Sequence, residues 1–467
     1  MSISIPKNFD WPLAYEGEKF IRARLAEFLA NNTFARRLAA RMHDETGTDF
    51  FEWVDHLVLS PDEETALVKA GFVHDKKAET PDRAATGRER CVVLEHPQAT
   101  LPRVLLRRGK TSPSIVAIKP EFVADFIAAN HLAAEAEGEP RSRYRRVIVS
   151  TEKGAQLEAV ERRAYRGFVP AKLKNGELAA ILKTSELFVT RPRYNETDAE
   201  GFVAANKRLR QAIKLVGRDV ACHLFFEAER AWWERRNRAA RFQKFRQDTL
   251  GLGWGNHDHH TFRCSRAHFS DLIRFLVTLG FHKRERFYAG AEAGWGAQIA
   301  EQPVTGIVVF ADVDLMPEET SIDFSVSKLP PASKLGTVGL WTGLHGESFL
   351  QAGMHHLEAR FDFASLRDQL QANGLNVMKP FSDFEFLRQA FTEGERWPVN
   401  PERADHLASA GLITPEQREK FIREGAIGSH LENLQRHGGF KGFNQKSVSA
   451  VIAATDPRKQ SAHTTPA

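Results

Sequence analysis

Apolar and polar residues follow one recurring order along this chain. A strand-like stretch leads into a short amphipathic helix, which ends in Gly followed by an apolar residue. The first instance runs from Phe51-Glu52-Trp53-Val54-Asp55-His56-Leu57-Val58-Leu59 through a helix over 62–70 to Gly71-Phe72. The second runs from Asp258-His259 through a helix over 268–279 to Gly280-Phe281. The third runs from His356-Leu357-Glu358-Ala359-Arg360-Phe361 through a helix over 364–372 to Gly374-Leu375. A weaker fourth takes Arg146-Val147-Ile148-Val149-Ser150 as the strand and 155–165 as the helix, ending at Gly167-Phe168. Each Gly stands where a helix C-terminus favours a left-handed residue.

Four such starts, each followed by strand-like sequence, predict an α+β fold of repeated βαβββ modules. They fall into two pairs, 51–226 and 254–456. Ahead of them, 1–50 reads as a helical N-terminal cap, from Ala, Arg, Leu and Phe at helical spacing over 16–43. Between the pairs, 227–253 carries a basic linking helix, and a helical insertion over 393–428 interrupts the last module. The polar tail 457–467 is expected to be disordered.

At 467 residues the chain exceeds what one compact core fills. A hydrophobic content of 42% and a charged content of 27% are ordinary for a globular protein. No run of about 18 apolar residues exists, and the N-terminus lacks an export pattern. A cytoplasmic location with no membrane partner is the expectation. Three scattered cysteines without a CxxC pair argue against a disulfide framework or a thiolate zinc site. The net charge of +5 is mild. Trp232, Trp233 and Phe242 in the basic helix could form a nucleic-acid stripe, but a connecting helix with an aromatic inner face is the favoured reading. Homo-oligomerisation is left open.

The chemistry concentrates in Gly255-Asn256-His257-Asp258-His259-His260-Thr261-Phe262-Arg263. On a strand, His259 and Arg263 point the same way, about 13 Å apart along the backbone. An imidazole suits a metal and a guanidinium suits a carboxylate. The spacing recurs in His356 and Arg360. Because of the doublets His259-His260 and His355-His356, ligand choice depends on register. His259 and His356 are favoured, since both keep Arg at plus four. A carboxylate is expected from a late strand, Glu432 within 429–440. Glu385, Glu393 and Glu395 are rivals, but follow His356 too closely for a helix and three strands.

Asp258-His259-x-x-x-Arg263, Leu279-Gly280-Phe281 and 307–318 resemble the 2-oxoadipate dioxygenase/decarboxylase family of the vicinal oxygen chelate superfamily. The segment 387–392 is similar to a strand of the related 4-hydroxyphenylpyruvate dioxygenases. So is the order Glu432-x-x-Gln435-Arg436, then Gly439-Phe440-x-x-x-Asn444 and a closing helix. The resemblance covers about 254–456. It implies metal ligands His259, His356 and Glu432, with Arg263 as the catalytic substrate anchor. Arg360 and Gln389 follow as further substrate contacts, and Fe(II) as the cofactor.

Two His and one carboxylate leave three adjacent positions open on a six-coordinate Fe(II). A 2-oxo acid could take two of them and dioxygen the third, and the resemblance implies oxidative decarboxylation of a 2-oxo dicarboxylic acid to a 2-hydroxy acid. Manganese accepts the same ligands. The alternatives are an extradiol dioxygenase or glyoxalase-like isomerase of the same fold, or a metal-free binding protein. The early copy keeps His56, but Ser60 stands where Arg would, and 146–150 has no His. Residues 51–226 therefore read as a degenerate, metal-free pair, with Cys222 to Glu227 as an echo of the glutamate strand.

Overall fold

The computed structural model describes residues 11–75, 85–86, 89–107, 113–288, 294–444 and 456–458. The fold is mixed α+β, with two curled sheets and a layer of helices. The N-terminal sheet holds β1 (Val54–Leu59), β2 (Val73–His74), β3 (Ala85–Thr86), β4 (Glu89–Glu95), β5 (Arg103–Arg107), β6 (Ser114–Ile118), β7 (Tyr144–Glu152) and β8 (Ala155–Arg162). Their order is β2-β4-β5-β1-β6-β8-β7, with β3 on β4. The C-terminal sheet holds β9 (His257–Arg263), β10 (His282–Tyr288), β11 (Trp295–Glu301), β12 (Val308–Asp314) and β13 (His356–Arg360). It continues with β14 (Ser382–Phe384), β15 (Leu387–Phe391), β16 (Glu395–Trp397) and β17 (Ala426–Arg436). Their order is β10-β11-β12-β9-β13-β17-β15-β14, with β16 on β17.

The two sheets share a plan. Each has two central strands paired antiparallel, β1 with β6 and β9 with β13. Each central strand pairs in parallel with the last strand of its own module: β5, β8, β12 and β17. The short helices Glu64–Lys69, Phe269–Thr278 and Phe363–Ala372 follow β1, β9 and β13.

The fourth start differs from the sequence reading. The second N-terminal module opens at β6 and its helix is Val123–Ala129. Ala155–Arg162 is a strand, paired antiparallel with β7 across a turn at Gly154 (φ 77°). Its alanines and glutamates suit a helix, but Leu157 and Ala159 alternate into the core at period two, and tertiary burial decides. The sheet ends at Arg162. The rest of 51–226 is helical, in Glu177–Val189, Asp198–Val216 and the first half of Arg218–Arg235. Cys222 to Glu227 therefore lies on a helix, not on a glutamate strand.

The N-terminal cap is two helices, Tyr15–Asn31 and Thr33–Thr46, divided at Asn32, whose side chain accepts from Ala35 N. The basic segment is likewise broken. Arg218–Arg235 ends before Asn237, which caps Arg238–Asp248 by accepting from Ala240 N. Trp233 is 1% exposed, and Trp232 lies under Arg193 and Arg236. Phe225, Phe226 and Trp233 belong to the large core between these helices and the outer face of the C-terminal sheet. Each such side chain stabilises the fold by about 1.5–3 kcal/mol on burial. Pro401–Ser409 and Pro415–Glu424 form the insertion before β17. Among the described residues, no helix is long and apolar enough to cross a membrane. Residues 459–467 of the tail, and 445–455 where a closing helix was expected, lie outside the described residues.

Candidate metal centre

Strand alternation builds the site. Phe262, Leu357, Ala359 and Leu431 face the helical core, so His259, His356, Glu358 and Glu432 share the opposite face of β9, β13 and β17. Glu358 and Glu432 are direct partners in the parallel β13/β17 pair. On the other side, pairing steps from Leu357↔His260 to Ala359↔His257. Asp258 and His259 therefore both stand opposite Glu358, a bulge that aims two side chains at one.

The contacts follow. His356 Nε2 lies 3.2 Å from Glu432 Oε2 and 3.7 Å from Glu358 Oε1. Glu358 Oε2 lies 2.7 Å from His259 Nδ1, and Asp258 contacts the same nitrogen. Two groups of metal-holding geometry result, His356-Glu358-Glu432 and Asp258-His259-Glu358, joined at Glu358. His356 and Glu432 thus fall in one group and His259 in the other, and no group among the described residues holds all three. Of the doublet partners, His260 points the other way, with Nε2 3.3 Å from Arg230 Nη1 and its ring against Phe226. His355 packs on Trp341 and meets His356 through Nδ1. Glu385 and Glu393 are exposed, and Glu395 accepts from Arg238 N.

Gln389 Nε2 donates to Glu432 Oε1 at 2.9 Å and holds that carboxylate. Arg360 donates to Asp258 Oδ2 at 2.7 Å and lies 3.9 Å from Glu52, so carboxylates of the chain occupy its fork. Arg263 is 3% exposed and sits beside Asp312 in the β9/β12 pair. Burial pushes its guanidinium down to about 10, with Asp312 and Asp314 partly offsetting this.

The charge balance describes a site shaped for a cation. Burial, and then repulsion from Glu358, pushes the Glu432 carboxyl up to about 8. Burial alone would lower His356, but hydrogen bonds to Glu358 and Glu432 raise it to about 9. For Glu358 the sign is opposite: burial raises it, yet His259 and His356 hold it well below the usual range. Glu358 and Glu432 are buried together around His356 and one of them retains a proton, and a divalent cation would replace protons at such donors. Asp312 Oδ1, Gln389 Oε1, His355 Nε2 and His430 Nε2 are buried with no hydrogen-bond partner among the described residues. Orphans of this kind mark where ligand and water bind.

Asp258 and Glu358 both crowd His259 Nδ1. Both carboxylates hold and orient the His259 ring through this nitrogen. Sequence reasoning gave Glu358 no role, although its place two residues after His356 put it on the same strand face. Glu358→Gln is expected to lower metal affinity by about 10–100-fold, measured by competition with a chelator. Complete loss of stoichiometric metal would instead make Glu358 a ligand itself.

The N-terminal sheet repeats this geometry. Its β1/β6 pairing slips at Asp55, between Val54 and His56, as β9 does at Asp258. His56 takes the place of His259, and Glu158, partner of Ala117, that of Glu432. Ile115 and Ala117 take the places of His356 and Glu358.

No family model matches the chain, and no curated protein matches it either. Solved structures do. A triple mutant of 4-hydroxymandelate synthase from Streptomyces coelicolor matches at 15% identity and a TM-score of 0.28, covering 88% of this chain and 99% of that one. Methylmalonyl-CoA epimerase from Mycobacterium tuberculosis matches at 13% identity and 0.21, covering 39% and 88%. A putative hydrolase from Shewanella frigidimarina matches at 13% identity and 0.27, covering 39% and 80%.

Proposed function

We propose that the chain is a metal-dependent oxygenase of the vicinal oxygen chelate kind, acting on a 2-oxo dicarboxylic acid with Fe(II) and dioxygen and releasing carbon dioxide to leave a 2-hydroxy acid. One observation carries the reading: His356 and Glu432 in contact, joined through Glu358 to His259 on one buried strand face. His259, His356 and Glu432 would hold the metal, and the bound ion would supply oxygen activation and a seat for the carboxylate and keto oxygens.

The remaining tasks belong to the chain. Gln389 fixes the orientation of Glu432, and Asp258 and Glu358 fix that of His259. Phe443 packs on His259 and on Phe310, and Phe391 packs on His356. These rings keep water from the reacting atoms. Arg263 binds the distal carboxylate. The N-terminal sheet serves as a metal-free copy, because Ile115 and Ala117 supply no donor.

Oxygen uptake after anaerobic loading with Fe(II) tests this, using 2-oxoadipate and its shorter and longer homologues. No uptake with any of them would end the proposal. Turnover without oxygen, or only with catechols, would move the assignment to an isomerase or a ring-cleaving enzyme. Arg263→Lys is expected to raise KM for the dicarboxylic acid about 10–100-fold, the worth of a lost bidentate charge-assisted pair. It should leave KM for a 2-oxo monocarboxylic acid unchanged, and equal effects on both would remove Arg263 from the anchor role.

A further inference from the structure

A cavity of about 740 Å3 lies between the two sheets, within the range of small-molecule sites. Its walls are the matching ends of the two copies: Asp55 and Lys119 from one, Asp258 and Arg360 from the other. By strand register Lys119 occupies the place of Arg360, one residue past Ile118↔Val54 as Arg360 is past Ala359↔His257. The two are used differently. Arg360 is paired with Asp258, whereas Asp55 is taken bidentately by Arg162, at 2.6 and 2.8 Å.

Matching charges around the wall leaves an excess of one sign. Glu52 and Asp258 lie within 4 Å of Arg360. Asp75 and Glu95 share Arg166, and Glu301 takes Lys441. With Asp55 on Arg162, every described lining carboxylate has its cation. Two lining cations have none. Among the described residues, Lys119 Nζ has neither a hydrogen bond nor a carboxylate within 4.0 Å. Arg103 donates only to the Arg166 carbonyl, at 2.7 Å, and lies over the Phe168 ring at 4.3 Å. They flank β1 on opposite sides and are offset along it, Arg103 opposite His56 and Lys119 one residue past the partner of Val54.

The geometry points to a second ligand site in this cleft, holding a small polyanion, a di- or tricarboxylate or a phosphorylated metabolite, between Arg103 and Lys119. Two separated cations suit a molecule with two anionic groups rather than one. Burial and the Arg162 and Arg166 charges push Arg103 down to about 9, and burial lowers Lys119. An anion between them opposes both effects. The cavity also reaches Asp258 and His259, so an occupant bears on the Arg360–Asp258–His259 chain of contacts. The site stands whether or not the metal reading holds.

Calorimetric titration of the full-length chain in a phosphate-free buffer, with succinate, citrate and inorganic pyrophosphate in turn, tests it. At least one probe is expected to bind once per chain. Lys119→Met should weaken it tenfold or more, Lys119→Arg should retain it, and His356→Ala should leave it within twofold. Binding by the carboxylates alone or by pyrophosphate alone identifies which source of anion the site takes. No binding by any probe, or binding indifferent to Lys119→Met, overturns the proposal. So does binding lost in His356→Ala but kept in Lys119→Met, which would put the anion at the metal cluster.

Discussion

His356→Ala is expected to abolish stoichiometric metal binding and with it all oxygen uptake. His356 is the group that meets both Glu432 and Glu358, at 3.2 Å and 3.7 Å. Its removal would take a proposed ligand and also leave Glu358 and Glu432 facing each other, buried, with one fewer positive partner. Loss of a supporting contact costs about 10–100-fold in metal affinity, and loss of a ligand should exceed that. Metal content of the purified variant, measured beside oxygen consumption, checks the outcome. His259→Ala should behave alike. His260→Ala and His355→Ala serve as register controls, expected to retain the metal. If His260→Ala lost it and His259→Ala did not, the face assignment of β9 would be wrong and the cluster would need rebuilding.

That register was open in the sequence because two adjacent histidines offer either face of a strand. It is resolved by the rows beside it: Phe262, Leu357 and Leu431 must enter the core, which sends His259, His356 and Glu432 the other way. Three of the four module starts were legible because a β-rich run with His led into a helix closed by Gly. The start at β6 was hidden. Ser114–Ile118 carries no polar residue of interest, and Ala155–Arg162 has a helix-forming composition that burial overrides. Pairwise contacts were the least legible. That Arg360 and Gln389 would hold Asp258 and Glu432 depends on strand register and on a bulge at Asp258. A single sequence does not encode such a slip in its periodicity. The insertion helices, by contrast, announced themselves through Pro at their first positions after Asn400 and Thr414, both of which cap.

The linking helix has a structural task that its basic composition concealed. Trp233 Nε1 and Asn237 Nδ2 both donate to Ser429 Oγ, at 2.7 and 2.9 Å. Ser429 lies three residues before Glu432 on β17. The break between the two helices therefore pins the strand that carries the carboxylate, and the aromatic residues face inward to do so.

The same helix layer pins the approach to His356, and its removal should be the largest stability loss in the molecule. Glu229 is fully buried, with Oε1 2.9 Å from Arg191 Nη2 and 2.7 Å from Arg193 Nη2. The two guanidiniums also donate to the carbonyls of Phe349 and Leu350, just ahead of His355 and His356. Burial raises the Glu229 carboxyl, but Arg191 and Arg193 outweigh it and hold it below its ordinary value of 4.5. Its contribution is thus complete above that value and is lost only as pH falls through the depressed one. Glu229→Ala leaves two like charges buried without a counter-ion and should cost about 3–5 kcal/mol, read as a lower urea midpoint at neutral pH. Metal affinity should fall with it, since the segment before β13 loses its tether. Replacing all three residues together, Arg191→Met, Arg193→Met and Glu229→Leu, should recover most of the stability, because no charge then remains to be desolvated. If the triple variant were as unstable as Glu229→Ala, packing rather than charge would be what Glu229 supplies.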